Sequence, residues 1–588
     1  MKTSPIQAAA LAFPDAGAPQ PLLVKDKGLP ACWQGRERFV LLETGFGGGH
    51  HFLATWQAWR DDPQRCERLV FIGIEMRPPR RSDLARAHAT APDADLARQL
   101  IDAWPPLTPN LHALEFEGGR VRLLLALGDL RDWLKELVAE VDAFCLDASI
   151  GDPYTLKLLA RLARPGASVA AHSWTPTLQD GLRAAGFEVG GPTMMRFAPR
   201  HAMQKPAGRM PLASDAREAL VIGAGLAGAA CARALVRQGL KVQVLDAAEG
   251  PARGASGNPM GLFHGSLHGA DGVHARFNRA AALALNNALP ALTSLQRGLL
   301  RLEMDLPLAQ MQERLRAQAL PPEYVQALGA EAASALAGMQ LANPAWLFPG
   351  GGALAPFELV QQWLADIPAR YGQSMAGLRR EGGQWQVLDD RGVLLAQSPL
   401  LVLATGHASA ALLADHALPI EVERGQLSHL PSPGPRVPLA GSGYAIDDGA
   451  GGLWCGATRA LNDPDPQLRS ADHESNVAQW SVLSGQAFDA PLAGRVGWRL
   501  LAPDRLPLVG GLPAPGFEGR ADQPRFIPRL PGLVVCTALA SRGITWALLC
   551  GEIAAALATG APCPVEADLL DAVDPARYLV RQRRRNPA

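Results

Sequence analysis

The 588-residue chain lacks most features that would assign it to a special class at sight. Cysteine is sparse and scattered over positions 32, 66, 145, 231, 455, 536, 550 and 563, with no pair at CxxC spacing. Nothing in that spacing leads one to expect a metal site or a redox dithiol. Cys145, Cys231, Cys536 and Cys550 lie in apolar runs, as core thiols do, and a reducing compartment fits. No run approaches the roughly 20 apolar residues of a membrane span. The opening MKTSPIQAAALAFPDAG has an early proline and no extended apolar region, so no signal peptide is expected and the reading is cytoplasmic. An excess of either charge is also missing, with 56 Lys and Arg against 56 Asp and Glu. A nucleic-acid partner would therefore need a local basic patch. The candidates are RPPRR (77–81), Arg200 with Lys205 and Arg209, and RQRRR (581–585). Internal repeats and low-complexity tracts are absent.

What is present is size and pattern. A chain this long divides into two or three domains, each able to bury its own core. An apolar content of 48% and 19% charged residues belong to an ordinary globular protein. From about 38 to 190, strand-like runs alternate with helical patterns: FVLLET, LVFIGIE, VRLLLALGD, VDAFCLD and ASVAAHS, separated by stretches such as SDLARAHATA and LKLLARLA. That alternation predicts a parallel sheet with helices on both faces. Residues 199–216 are rich in Pro, Gly and charge and read as a linker. The division is 1–198, a linker over 199–216, and 217–588.

Two glycine-rich turns follow apolar strands. The second, in ALVIGAGLAGAACARALVRQGLKVQVLD, places Gly223, Gly225 and Gly228 as GxGxxG between a strand and a helix, with Asp246 ending the next strand. Glycines there permit a tight turn and close backbone approach, and the helix N-terminus offers N–H groups to a pyrophosphate. Asp246 would accept hydrogen bonds from ribose hydroxyls. The fingerprint alone does not separate NAD from FAD. The first turn, LLETGFGGGHHFL, reads Glu43-x-Gly45-x-Gly47-x-Gly49, with the acidic residue ahead of the glycines. Glu75, Asp129 and Asp147 end or follow three further strands. Each of these acids alone could be an ordinary helix cap.

Several further segments follow the second turn in order: GASGNPMG (254–261), LVLATGH (401–407), RGQL (424–427), GWRLLAPDRLPLVG (497–510) and SRGI (541–544). Together they resemble the glycine/sarcosine/D-amino-acid oxidase family over about 217–575. The resemblance implies bound FAD and oxidation of a C–N bond. It places Ser256, Asn258, Arg542 and Gly543 near the flavin and makes Arg499 the residue that binds a substrate carboxylate. A guanidinium suits that role because it grips a carboxylate through two parallel hydrogen bonds. Arg499 as a plain ion-pair arginine stays open, and His407 after its strand is an ordinary hydrogen-bonded histidine as readily as a base. Asp504, Pro507 and Gly510 are expected to shape their segment.

The first turn resembles motif I of the Rossmann-like methyltransferases. That implies S-adenosylmethionine held near Glu43, Gly45, Gly47 and Gly49, ribose at Glu75, adenine at Asp129, and the methyl-accepting amine at Asp147. The expected architecture is α/β: a Rossmann-like methyltransferase domain, then a FAD-binding Rossmann domain with an α+β substrate domain. In this order the halves resemble the family of bifunctional tRNA 5-methylaminomethyl-2-thiouridine biosynthesis proteins. SPIQAAALAF, ETGFGGGHHFL, IEMRPPRRSDLARAH, LARPG and GLRAAGF carry the match in the first half, and GASGNPMG, RGQLSHLP, DRLPLVG and SRGI in the second. The implied partner is tRNA with a modified wobble uridine, without metal or membrane. The chain departs from that pattern at KDKGLPACW, at LDASIGDPYTL, where Asp152-Pro153-Tyr154 is the candidate remnant of a longer loop, and at GGPTMMRFAPR. Two other readings stay open: an FAD oxidase whose first half only binds tRNA, and a small-molecule amino-acid oxidase.

Overall fold

The computed structural model describes residues 29–585 except 90–92, 148–149, 192–193, 202–203, 417 and 486–492. The opening stretch SPIQAAALAF lies outside the described residues. The chain forms two compact units, residues 1–205 with 561–568, and residues 206–560 with 569–588.

The first unit is built on eight strands: β1 (Arg38–Glu43), β2 (Arg68–Glu75), β3 (Leu111–Phe116), β4 (Val121–Leu127), β5 (Val141–Leu146), β6 (Ala163–Ala171), β7 (Phe187–Gly191) and β8 (Met194–Phe197). Their order is β3-β4-β2-β1-β5-β6-β8-β7. The run β4-β2-β1-β5-β6 is parallel, while β3, β7 and β8 pair antiparallel at the edges. The five anticipated strands form the parallel centre. Both faces of this sheet are covered, so its strands are apolar throughout; β4, for instance, is buried along its whole length. One face packs Trp33, Phe52, Trp56 and Trp59, the other Trp133, Leu156, Leu159 and Leu182. Each such fully buried side chain contributes about 1.5–3 kcal/mol. The strand order reverses between β1 and β5, which is where open α/β sheets bind ligands at their carboxyl ends. Asp147 follows β5 at this point.

In the second unit a six-stranded sheet runs Ala369–Arg370, Lys241–Leu245, Glu218–Ile222, Leu401–Leu403, Arg529–Thr537 and Leu508–Pro513, parallel except for the last strand. A ten-stranded sheet, mainly antiparallel, carries Glu421–Leu430 beside Ala493–Leu501, and a three-stranded sheet spans residues 377–398. Helix Gly543–Thr559 is buried on nearly every side. It lies against helix Leu226–Arg237 so closely that a Cβ on Gly551 would stand 2.6 Å from the Ala230 backbone. Residues 206–216, read from sequence as linker, group with this unit, and Arg209 pairs with Asp571 at 2.5 Å.

No helix among the described residues is long and apolar enough to cross a membrane. None of the eight cysteines is in a disulfide.

Candidate functional sites at two glycine turns

The second glycine turn opens one wall of a cavity of about 1190 Å³. Gly223 has φ +110°, and a Cβ on it would meet the Ala404 carbonyl oxygen at 2.3 Å. On Gly228 a Cβ would fall 1.7 Å from the Gly223 carbonyl oxygen. Strand, turn and helix therefore close on one another only because these positions are glycine. Asp246 accepts from the amides of Ala224 (2.6 Å) and Ala248 (2.8 Å), which fixes its carboxylate at the rim. Ser256 Oγ accepts from the Leu226 amide at the helix start, 3.0 Å away. Asn258 is held by Arg495, whose other nitrogen donates to the Gly254 carbonyl at 2.8 Å. Arg495 thus braces the 253–258 turn. Sequence reading missed it, because its partners lie some 240 positions away and no local pattern points to them.

Arg499 reaches the same cavity from the neighbouring sheet. It stands opposite Glu423 in register, 3.3 Å from its carboxylate, and donates to the Thr458 carbonyl at 3.0 Å. Burial lowers the pKa of its guanidinium, with Glu423 opposing. Arg499 is therefore both an ion-pair arginine and a cavity residue. Arg542 and Gly543 also line the cavity, at the start of helix Gly543–Thr559. Arg542 donates to Asn278, and burial, with the charge of Arg301, brings it to about 10.

His264, not singled out from sequence, also lines the cavity. Burial, then the nearby Arg542 charge, pulls it down to about 3, so it is neutral at pH 7. His407 lines the cavity beside Trp498, with ring centroids 5.9 Å apart.

Asp504 serves as an anchor. It accepts from Arg577 at 2.8 and 3.0 Å and from Tyr578 at 3.0 Å. Burial pushes its pKa up, but the hydrogen bonds and charge of Arg577 overcome this and hold the carboxyl at about 2. The same arginine donates to the Pro507 carbonyl at 3.0 Å. Gly510 takes φ +139° within the strand that follows.

The first turn is looser. A Cβ on Gly47, at φ +53°, would meet nothing within 4 Å; on Gly45 it would rest at ordinary contact, 3.5 Å from Asp147. Gly49, at φ +77°, precedes helix His50–Asp61 as its cap. Glu75 ties two strand ends together, accepting from the amides of Gly47 (2.7 Å) and Arg77 (2.8 Å). Glu43 is buried and bonded to His51. Burial pushes its carboxyl up, against the pull of His51. Asp129 caps helix Leu130–Glu136 through the Asp132 amide at 3.1 Å. Asp147 is exposed, and its amide donates to Thr44 Oγ1 at 3.0 Å. Asp152 caps helix Pro153–Leu162, leaving Tyr154 53% exposed.

The anticipated basic patches differ in availability. Arg77, Arg80 and Arg81 are exposed. The C-terminal run is helical: it ends helix Arg577–Arg585, with Arg581, Arg584 and Arg585 exposed and Arg583 half-buried, and Arg583 and Arg584 donate to carbonyls of residues 517, 519 and 522.

The profile of the FAD dependent oxidoreductase family matches residues 218–557, and that of an S-adenosyl-L-methionine-dependent methyltransferase family matches residues 91–196. The tRNA 5-methylaminomethyl-2-thiouridine biosynthesis bifunctional protein of Methylibium petroleiphilum is 46% identical, with 99% of each chain covered. The protein of the same name from Aromatoleum aromaticum is 39% identical, again with 99% of each chain covered. Among solved structures, L-proline dehydrogenase from P. horikoshii aligns with a TM-score of 0.50 at 17% identity, over 63% of this chain and 99% of its own. That likeness concerns the fold alone.

Proposed function

Because the chain belongs to the family of tRNA 5-methylaminomethyl-2-thiouridine biosynthesis bifunctional proteins, we propose that its two glycine turns serve successive steps on one wobble uridine. It is an FAD-dependent oxidoreductase acting on a C–N bond and an S-adenosylmethionine-dependent methyltransferase in one polypeptide. The observation that carries the assignment of residues is the single cavity shared by the GxGxxG turn, Asp246 and Arg499.

The residues present fit FAD. A Cβ at Gly225 would stand 3.0 Å from Ser256 Oγ, so the turn admits a ligand against backbone but no side chain of its own. Bound there, FAD supplies a hydride acceptor. Gly223, Gly225, Gly228 and Ser256 would cradle its pyrophosphate, Asp246 its ribose, and Asn258, Arg542 and Gly543 the flavin side. Arg499 binds the carboxylate of the carboxymethylaminomethyl group and orients the adjacent methylene. Two parallel hydrogen bonds fix that direction as a single ammonium could not. His264 lines the same cavity and stays neutral beside Arg542. Loss of hydride from the methylene gives an imine, and water splits it to glyoxylate and a primary aminomethyl group.

In the first unit, Gly45, Gly47 and Gly49 let backbone approach S-adenosylmethionine, Glu43 sets the turn from below, and Glu75 and Asp129 face ribose and adenine. Asp147 positions the aminomethyl nitrogen and accepts the proton it sheds on methylation. The exposed Arg77, Arg80 and Arg81 supply phosphate contacts, so tRNA affinity falls with salt. The workplace of such an enzyme is the cytoplasm. Joining the sites in one chain keeps the first product near the second site.

The test is incubation with tRNA bearing 5-carboxymethylaminomethyl-2-thiouridine, with and without S-adenosylmethionine, and nucleoside mass analysis. The expected result is the methylaminomethyl nucleoside only with the methyl donor, and the aminomethyl nucleoside without it. Aminomethyl product in both tubes would reduce the first unit to a tRNA-binding module. Unchanged starting nucleoside in both would remove the tRNA assignment.

A further inference from the structure

Three potential metal donors that are far apart in sequence converge in the first unit. His51 lies in the first turn of helix His50–Asp61, Cys145 is the penultimate residue of β5, and His172 directly follows β6. One ligand atom from each lies within 4.8 Å of both others. Cys145 is buried, the His51 side chain is 11% exposed, and His172 opens to solvent. The His51 and His172 rings stand 5.0 Å apart, centroid to centroid.

The strongest indication is the state of His51. Its Nδ1 is bonded to the buried carboxylate of Glu43. Its Nε2 is buried and has no hydrogen-bond partner. A buried ring nitrogen without a partner is costly unless something occupies it. A histidine fixed through one nitrogen by a carboxylate, with the other nitrogen presented, has the arrangement of a metal ligand and its outer partner.

We propose that His51, Cys145 and His172 form a binding site for one divalent cation of the zinc class. Thiolate and imidazole donors select such an ion over magnesium or calcium. Bonds of about 2.0–2.3 Å in tetrahedral geometry would set the donors roughly 3.3–3.6 Å apart, so ligation draws the cluster together by about 1 Å. Three protein donors leave the fourth position to water or another small ligand. Binding takes the Cys145 thiol to thiolate and releases its proton to solvent. The ion would tie the helix after the glycine turn to the ends of β5 and β6, two residues before Asp147. CxxC spacing could not reveal such a site, because each donor comes from a different element.

The test uses the full-length, FAD-loaded protein, stripped with a chelator and titrated with zinc, and separately with cobalt(II) as a spectroscopic probe. One zinc per chain is expected, with an absorption edge fitted by one sulfur at about 2.3 Å and nitrogens at about 2.0–2.1 Å. Cobalt should give ligand-field bands at wavelengths beyond the flavin absorption. Cys145→Ser and His172→Ala should each abolish stoichiometric uptake, and Glu43→Gln should weaken it about tenfold to a hundredfold. Because His172 is exposed, His172→Ala should keep the thermal midpoint of the stripped wild type, which separates lost ligation from lost folding. Failure of the wild type to take up either ion would overturn the proposal. So would uptake that survives in the Cys145→Ser, His172→Ala double variant.

Discussion

The two glycine turns hold superficially similar sequences under different constraints. At the second turn, added Cβ atoms would collide with the protein's own backbone, 2.3 Å from Ala404 and 1.7 Å from Gly223. At the first, Gly47 has open space, Gly45 only ordinary contact with Asp147, and Gly49 is crowded by side chains, 2.9 Å from the Phe46 ring, not by backbone. The second turn is thus required by packing before any ligand arrives. The first is required by backbone conformation, by side-chain packing at Gly49 alone, and by whatever approaches from outside. That difference matches a cofactor that stays through every turnover and a co-substrate that must leave after each.

Gly228→Ala should sharpen the contrast most. Helix and strand must part, and overpacking of this kind costs about 1–3 kcal/mol or more. The variant should purify colourless, measured as the ratio of flavin to protein absorbance, with a lowered thermal midpoint. A yellow, stable Gly228→Ala protein would break the comparison.

Arg499→Lys comes next. The charge facing Glu423 persists, but paired donation to a carboxylate is lost. Oxidation should slow by about 100-fold in kcat/KM, with flavin content unchanged and methylation of a supplied aminomethyl substrate unaffected. An equal loss in both reactions would mean that Arg499 acts on folding.

Asp504 tests how firmly the second unit is locked. Its folded pKa, at about 2, lies below the unfolded value, so its stabilising effect is complete above about pH 4 and is lost as pH falls from there through 2. The contribution is about 2 kcal/mol. The gap in urea midpoint between wild type and Asp504→Asn should therefore narrow below pH 4. A constant gap would assign the effect to packing.

Gly47→Ala should cost least in stability, about 1 kcal/mol for its left-handed backbone, because no atom obstructs the methyl group. Oxidation should be untouched, and the KM for S-adenosylmethionine should rise. A loss of flavin would mean that the two turns are not independent.

The sequence made the central strands, both turns and the acids at strand ends legible, because each rests on a local pattern of apolar runs broken by glycine. Arg495, Glu423 and His264 were not legible. Arg495 works through Asn258, Glu423 through its register opposite Arg499, and His264 through burial beside Arg542. Those relations exist only once distant strands pair. The cluster of His51, Cys145 and His172 escaped for the same reason. The C-terminal arginines show a further gap: sequence gives the run of positive charge but not the helix that carries it or the carbonyls that Arg583 and Arg584 reach.

Residues 561–568 fold with the first unit although they follow nearly all of the second in sequence. Within that unit, Cys563 donates its amide to the Val138 carbonyl at 2.9 Å, and Asp568 its amide to Glu136 at 3.0 Å. A gene divided at any one codon between the halves would thus give an amino-terminal product missing a piece of its own fold, and a carboxyl-terminal product carrying that piece as a surplus. Successful dissection would need three cuts, after residues 205, 560 and 568, or a transplanted copy of the returning segment.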